Sequence, residues 1–165
     1  MKSLDDIIFE KFSALLNYAL SKAIKPDIEV NKVAELDEDM ISNLKQEYGI
    51  EGIILDVDET LRKNMNKIPE VNEKWLESLS KQLKIIVVSN GVDGKIEEFF
   101  NDRGIDYIGF AHKPLKKNIL KACEKIDVTP EKVLIVGDSL FSDIYGGKRN
   151  NMKTALVKEV EDEQK

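Results

Sequence analysis

Residues 52–60 read GIILDVDET, an apolar, β-branched run that ends on two aspartates one residue apart, with a threonine two positions further on. An unbroken run of this kind fits a strand covered on both faces, as in a parallel sheet, better than a strand with one wet face. The pattern recurs at KIIVVS (84–89) and KVLIVG (132–137), and more weakly at DYIGF (106–110) and TALVK (154–158). Between these runs apolar residues repeat at helical spacing: Val71, Trp75, Leu76 and Leu79 in 70–82, Ile96, Phe99 and Phe100 in 94–103, and Leu115, Ile119, Cys123 and Ile126 in 114–126. Strands alternating with helices require right-handed crossovers, so the expected architecture is a three-layer, Rossmann-like α/β domain on a parallel sheet.

Upstream, apolar positions at three-to-four spacing predict one amphipathic helix over 3–24, stopped by Pro26. Its polar face mixes Asp5, Asp6 and Glu10 with Lys11, Lys22 and Lys25, which is less basic than helices that lie on membranes. The expectation is a helix docked on the core, the alternative a membrane-surface or dimer helix. A second helix is expected over 37–47, capped by Asp37 and closed by Gly49. The chain thus divides into a helical extension packed on the core (1–49), a catalytic core (50–158) and a charged tail expected to fray (159–165).

At 165 residues, 42% hydrophobic and 34% charged, the chain suits one globular domain. Its net charge of −6 argues against nucleic acid as a partner. The single cysteine, Cys123, excludes an internal disulfide and lies on an apolar helical stripe, as a core residue would. Acidic residues interrupt the N-terminus where a signal peptide needs an apolar core, and no run reaches the roughly 18 apolar residues of a membrane span, so a cytoplasmic protein is expected. Oligomeric state is not encoded in these patterns.

Ligands of open parallel sheets bind beyond the carboxyl ends of the strands. The buried runs deliver Asp56, Asp58 and Thr60 there, then Ser89 and Asn90, then Lys113, then Asp138 with Asp143 five residues on. Four carboxylates, one lysine and small hydroxyl and amide groups are the inventory of a magnesium-dependent phosphoryl-transfer site. Mg2+ takes a hard oxygen shell from one or two carboxylates, water and phosphate, which Asp56 and Asp138 can begin. A carboxylate beside the ion can attack phosphorus, provided that the metal, Lys113 and the donors at Ser89 and Asn90 offset the repulsion between anions. Asp58 would then serve as the acid and base for the leaving oxygen and the attacking water. His112, the one histidine, precedes the lysine as a turn residue would, and Gly146 and Gly147 suggest close packing more than a phosphate nest.

In order along the chain, DVDET, SN, HKP and GDSLFSD resemble the four motifs of the haloacid dehalogenase superfamily of aspartate-nucleophile phosphatases. GIEGIILDVDETL, VVSNG, AHKPLKKNI and VGDSLFSDIYGGKRNNMKTALV are similar to the YqeG-type phosphatases of its subfamily IIIA. The resemblance covers about residues 50–157. It implies Asp56 as nucleophile, Asp58 as general acid/base and Thr60, Ser89, Asn90 and Lys113 around the phosphate. It also implies a metal site of Asp56, the backbone carbonyl of Asp58 and Asp138, with Asp143 either orienting Lys113 or holding a metal-bound water. Glu59 departs from the family's asparagine or glycine; pointing inward it would weaken phosphate binding, pointing outward it should matter little.

Only 28 residues separate Thr60 from Ser89 and 23 separate Ser89 from Lys113, so neither interval has room for a sizeable cap domain. An uncapped site suits a phosphorylated substrate that is large, or one closed over by a partner. YqeG-type relatives include phosphatidylglycerophosphate phosphatases, so the resemblance admits a phospholipid as well as a small molecule, with peripheral membrane contact. The rivals are a receiver-like signalling module, disfavoured because no aspartate ends KIIVVS, and a phosphate-binding relative without turnover.

Overall fold

Six strands form one parallel sheet in the computed structural model, which describes residues 3–161. They are β1 (Ile28–Val30), β2 (Gly52–Leu55), β3 (Lys84–Val88), β4 (Asp106–Ile108), β5 (Val133–Gly137) and β6 (Lys153–Val157), ordered β1-β6-β5-β2-β3-β4. The helices are α1 (Leu4–Ala23), α2 (Glu38–Tyr48), α3 (Glu70–Ser80), α4 (Gly94–Asn101) and α5 (Lys116–Ile126). The strongest apolar runs of the sequence are the three central strands, with β2 between β5 and β3.

Neighbouring residues of a strand face opposite sides of the sheet. Ile53 and Leu55 accordingly join Leu134, Val136, Val87, Trp75 and Leu76 in one apolar cluster, while Ile54 joins Ile86, Ile135, Ile119 and Cys123 in the other. Both faces are covered, which is why these strands read as unbroken apolar runs. The buried Cys123 thiol is pushed up to about 11 by burial and stays neutral, a packing residue. Gly147 is a packing residue too, since a Cβ there would run into Ile135 and Thr154. α2 is capped as expected: Asp37 accepts the N–H of Met40 at 2.9 Å, and Gly49 adopts φ 67°.

The segment expected to be purely helical also supplies strand β1, which pairs with β6 at the sheet edge. Asp27 holds this edge in place. Its Oδ2 accepts the backbone N–H of Thr154 at 2.9 Å and the Thr154 hydroxyl at 3.0 Å, and its Oδ1 pairs with Lys148 at 2.7 Å. The pairing continues into the start of the tail, where Glu159 N–H donates to Asn31 O at 2.7 Å and Glu161 pairs with Lys32 at 3.0 Å. Residues 162–165 of the tail lie outside the described residues.

α1, expected to dock on the core, touches it mainly at one place. The helix buries no residue, meets the core at 140–145, and leaves Leu4, Ile8, Phe9, Phe12, Leu15 and Tyr18 exposed. The apolar clusters on both sheet faces are closed by other elements, so neither offers it a seat. Among the described residues no helix is long and apolar enough to cross a membrane.

Candidate active site

Because all six strands run the same way, their carboxyl ends share one edge. Asp56 follows β2 directly, and its N–H continues the ladder to Val136 O at 3.0 Å. The strand does not run on to Asp58. The N–H groups of Thr60, Leu61 and Arg62 all turn toward Val57 O, at 3.2, 2.8 and 3.3 Å, so a tight coil sets the relation of the two aspartates.

Lys113 is the centre of the site. Its ammonium donates to Asp56 Oδ1 at 2.9 Å and to Asp143 Oδ1 at 2.6 Å, with the lysine side chain only 1% exposed. Oxygens of Asp56, Asp138 and Asp143 all lie within 4.8 Å of one another. Asp143 reaches this place from a π-helical segment, Leu140–Tyr145, in which Ser139 O accepts both the Asp143 and the Ile144 N–H. Such insertions recur at functional sites because they re-aim one side chain. Gly137 makes the space for it, since a Cβ there would overlap the Asp143 carboxyl.

The charges of this cluster are uneven. Three carboxylates against one ammonium leave a formal excess of two negative charges. Asp138 is exposed as a residue, yet the protein around its carboxyl and then Asp56 and Asp143 push it up to about 7. Asp143 is also raised, by burial first and by Asp56, although Lys113 pulls the other way. Burial alone would lower Lys113, but the attraction of Asp143 and Asp56 outweighs it and holds the ammonium well above the usual lysine range. The directions agree, because one ammonium pairs with two of three crowded acids and leaves Asp138 with none of its charge. Hard carboxylate oxygens with two uncompensated charges fit a divalent cation.

The Asn90 amide clamps the lysine's backbone, Oδ1 accepting from Lys113 N at 2.7 Å and Nδ2 donating to Lys113 O at 3.2 Å. Thr60 lies in the coil around Val57 O. It is fully buried, and its hydroxyl lies between Asp56 Oδ2 at 3.2 Å and Asp138 Oδ1 at 3.4 Å, aimed at carboxylates. Ser89 Oγ accepts the Gly91 N–H at 3.2 Å, which leaves its O–H to donate. Glu59, at φ 59°, turns to its own loop and accepts the Asn64 N–H at 2.9 Å. His112 is an exposed turn residue at φ 53°.

Asp58 stands apart from the three-acid cluster, bound by Arg62 Nε at 2.7 Å. Arg62 and its second partner, Asp93 at 2.9 Å, were not among the residues read from the sequence. The only signal was an arginine four residues after Asp58, which is uninformative outside a helix.

Around the site the loops carry exposed apolar side chains, namely Met65, Val92, Phe110, Leu115 and Phe141, each 40–64% exposed. A cleft of about 570 Å³ opens beside Asp138, between Glu59, Lys63 and Leu156–Val160. A larger hollow of about 830 Å³ lies at the opposite sheet edge, lined by Lys45, Lys84 and Lys125, away from these carboxylates.

The family description "Haloacid dehalogenase-like hydrolase" matches residues 4–157. The chain is 31% identical over 141 residues to "Probable phosphatase YqeG" of Bacillus subtilis, a match covering 84% of this chain and 79% of that protein. It is 39% identical over 64 residues to glyceraldehyde 3-phosphate phosphatase of Pyrococcus furiosus, covering 39% of this chain and 27% of that one. In fold it is similar to a hypothetical protein of Xanthomonas campestris, with a TM-score of 0.55 at 16% identity over 74% of this chain and 71% of that one.

Proposed function

We propose, from the premise that this chain belongs to the haloacid dehalogenase-like hydrolase family and is a phosphatase, that it is a magnesium-dependent phosphomonoesterase working through an aspartyl-phosphate on Asp56. The observation that carries this reading is the ammonium of Lys113 held between Asp56 and Asp143, with Asp138 alongside. Bound Mg2+, held by Asp56, Asp138 and the backbone carbonyl of Asp58, would supply the positive charge that lets an anionic nucleophile approach a phosphate.

The chain's own residues do the rest. Asp56 Oδ2, the oxygen not bound by Lys113, attacks phosphorus. The bond to the leaving oxygen breaks, its electron pair stays with that oxygen, and Asp58 gives it a proton. Water then attacks the phospho-aspartate, passes its proton to Asp58, and releases orthophosphate as the Asp56 carboxylate is restored. Lys113 and the Ser89 hydroxyl steady the phosphate oxygens. Asn90, Thr60 and Asp143 act one step back, fixing the lysine and the carboxylates.

For the substrate we favour a phosphate carried on a large or lipid body. The uncapped site and the apolar side chains of Met65, Val92, Phe110, Leu115 and Phe141 around it support this. The test is a panel of phosphate monoesters with MgCl2, comprising p-nitrophenyl phosphate, glyceraldehyde 3-phosphate, and phosphatidylglycerophosphate in mixed micelles. The expected result is turnover of the aryl ester, with the lipid preferred over the triose phosphate. Silence across the panel sinks the enzymatic reading, and a preference for the triose sinks the lipid one.

The raised carboxyls add a pH dependence. A native state that holds a proton up to about pH 7 on Asp138, where the unfolded chain releases it near the ordinary aspartate value of 3.8, binds more protons than the unfolded chain in that window. Stability of the metal-free protein should therefore fall as pH rises from about 4 to about 7, the reverse of an ion-paired carboxylate. Excess MgCl2 should raise the melting temperature more at pH 8 than at pH 5, because protons and cation compete for the same oxygens. Thermal scans at both pH values with and without MgCl2 measure this. An increment that does not grow with pH contradicts it.

A further inference from the structure

We infer that Arg62 is a positioning residue for Asp58, binding one carboxylate oxygen so that the other is the one presented to the substrate's leaving oxygen. The inference rests on the reading of Asp58 as the proton donor and acceptor. The coil around Val57 O brings Arg62 back beside Asp58 in backbone as well as side chain. The two residues form an isolated β-bridge, Glu59 N–H donates to Arg62 O at 2.8 Å, and Arg62 Nε donates to Asp58 Oδ1 at 2.7 Å. An arginine N–H can only donate, so Oδ1 is an acceptor for as long as this contact holds. The proton that Asp58 delivers must then sit on Oδ2. That oxygen faces the loop after β3: a Cβ at Gly91 would lie 3.5 Å from it and 3.7 Å from Ser89 Oγ. Asp58 Oδ2 and the Ser89 hydroxyl thus flank one glycine, on the side where a phosphate would bind.

Arg62 is itself held. Its side chain is buried, and Nη1 reaches Asp93 Oδ2 at 2.9 Å and the carbonyls of Met65 and Asn66 at 3.5 Å. The other oxygen of Asp93 caps α4, accepting from Lys95 N at 3.0 Å and Ile96 N at 3.4 Å. One guanidinium thereby ties the Asp58 turn to the first turn of the helix that follows the Ser89 loop. Arg62 reaches the two carboxylates through different nitrogens, Nε and Nη1, a planar fork whose spacing a lysine's single ammonium does not reproduce.

The test uses a difference in leaving groups. p-Nitrophenolate departs without a proton, whereas the alkoxide of phenethyl phosphate needs one, so a misplaced Asp58 should affect the second ester far more. With MgCl2, Arg62→Gln is expected to lower kcat/KM for phenethyl phosphate about 100-fold and for p-nitrophenyl phosphate less than about 5-fold. Inhibition by inorganic phosphate should be unchanged, and Arg62→Lys should recover little. In an Asp58→Ala background, Arg62→Gln should cost phenethyl phosphate nothing further. Equal losses on the two esters, or a further loss in that background, overturn the proposal. Should the arginine variants fail to fold, Asp93→Asn keeps the α4 cap and removes the charge that steadies Arg62. It is expected to shift the ratio of the two esters several-fold in the same direction, and an unchanged ratio overturns the proposal. Wild-type inactivity on both esters would instead refute the phosphatase reading, which separates the two failures.

Discussion

Asp56→Asn is expected to abolish hydrolysis of p-nitrophenyl phosphate, by at least about four orders of magnitude, while raising the melting temperature of the metal-free protein. Loss of the attacking oxygen removes the covalent route altogether, since Asp143 is fully buried beneath Lys113 and Asp138 is assigned to the metal. Asparagine has nearly the same shape, and its amide oxygen can still accept from Lys113. The stability gain follows from charge. Asp56 is one of the groups that push up both Asp138 and Asp143, so neutralising it relieves two crowded acids. The gain should be largest above pH 7, where Asp138 is otherwise ionised, and should vanish when MgCl2 is added to both proteins. Acid-quenched wild type should also carry phosphate on the tryptic peptide of residues 46–62, and the variant should not. A variant that is inactive and also less stable would point to local collapse, and one that stays active would exclude Asp56 as nucleophile.

The central sheet was legible because β2, β3 and β5 are buried on both faces and so leave continuous apolar runs in the sequence. β1 left no such trace. Ile28, Glu29 and Val30 are too short a run to signal a strand, and they become one only by pairing with β6 and through the bonds from Asp27 to Thr154. Site residues were legible as types at strand ends, but the direction of a side chain is a tertiary property. Asn90 and Thr60 were read at strand ends, and there one turns to the backbone of Lys113 and the other to two carboxylates. Glu59 was ambiguous for the same reason, and the bond to Asn64 N decides it. Asp143 had two readings, and the π-helical turn that delivers it to Lys113 depends on the missing Cβ of Gly137. No spacing rule announces a hydrogen bond displaced by one residue. Arg62 was missed because its role follows from the coil around Val57 O, which no periodic pattern encodes.

Lys113→Met should cost activity and stability together, and the stability loss should depend on pH. The lysine's ammonium pairs with both Asp56 and Asp143, so its removal leaves these two carboxylates without their shared cation, beside the third acid, Asp138. Turnover with MgCl2 is expected to fall about 1,000-fold, since a fixed positive charge on the phosphate oxygens is lost. Breaking a buried pair by deleting one partner typically costs about 3–5 kcal/mol, because the other charge stays buried and uncompensated. That cost applies only while the acids are ionised. Asp143 and Asp138 are already raised in the wild type and would rise further without the ammonium, so the variant should regain stability as pH falls toward 5 and lose it as pH climbs past 7. The wild-type ammonium, raised by the same contacts, keeps its stabilising charge throughout this range and loses it only in alkali. The double variant Lys113→Met, Asp143→Asn removes one buried charge of each sign and should recover much of the stability but little of the activity. Denaturant melts of the single and double variants at pH 5 and pH 8 make the comparison. If the single variant is equally destabilised at both pH values, the loss comes from packing around the lysine stem, and the electrostatic account of the cluster is wrong.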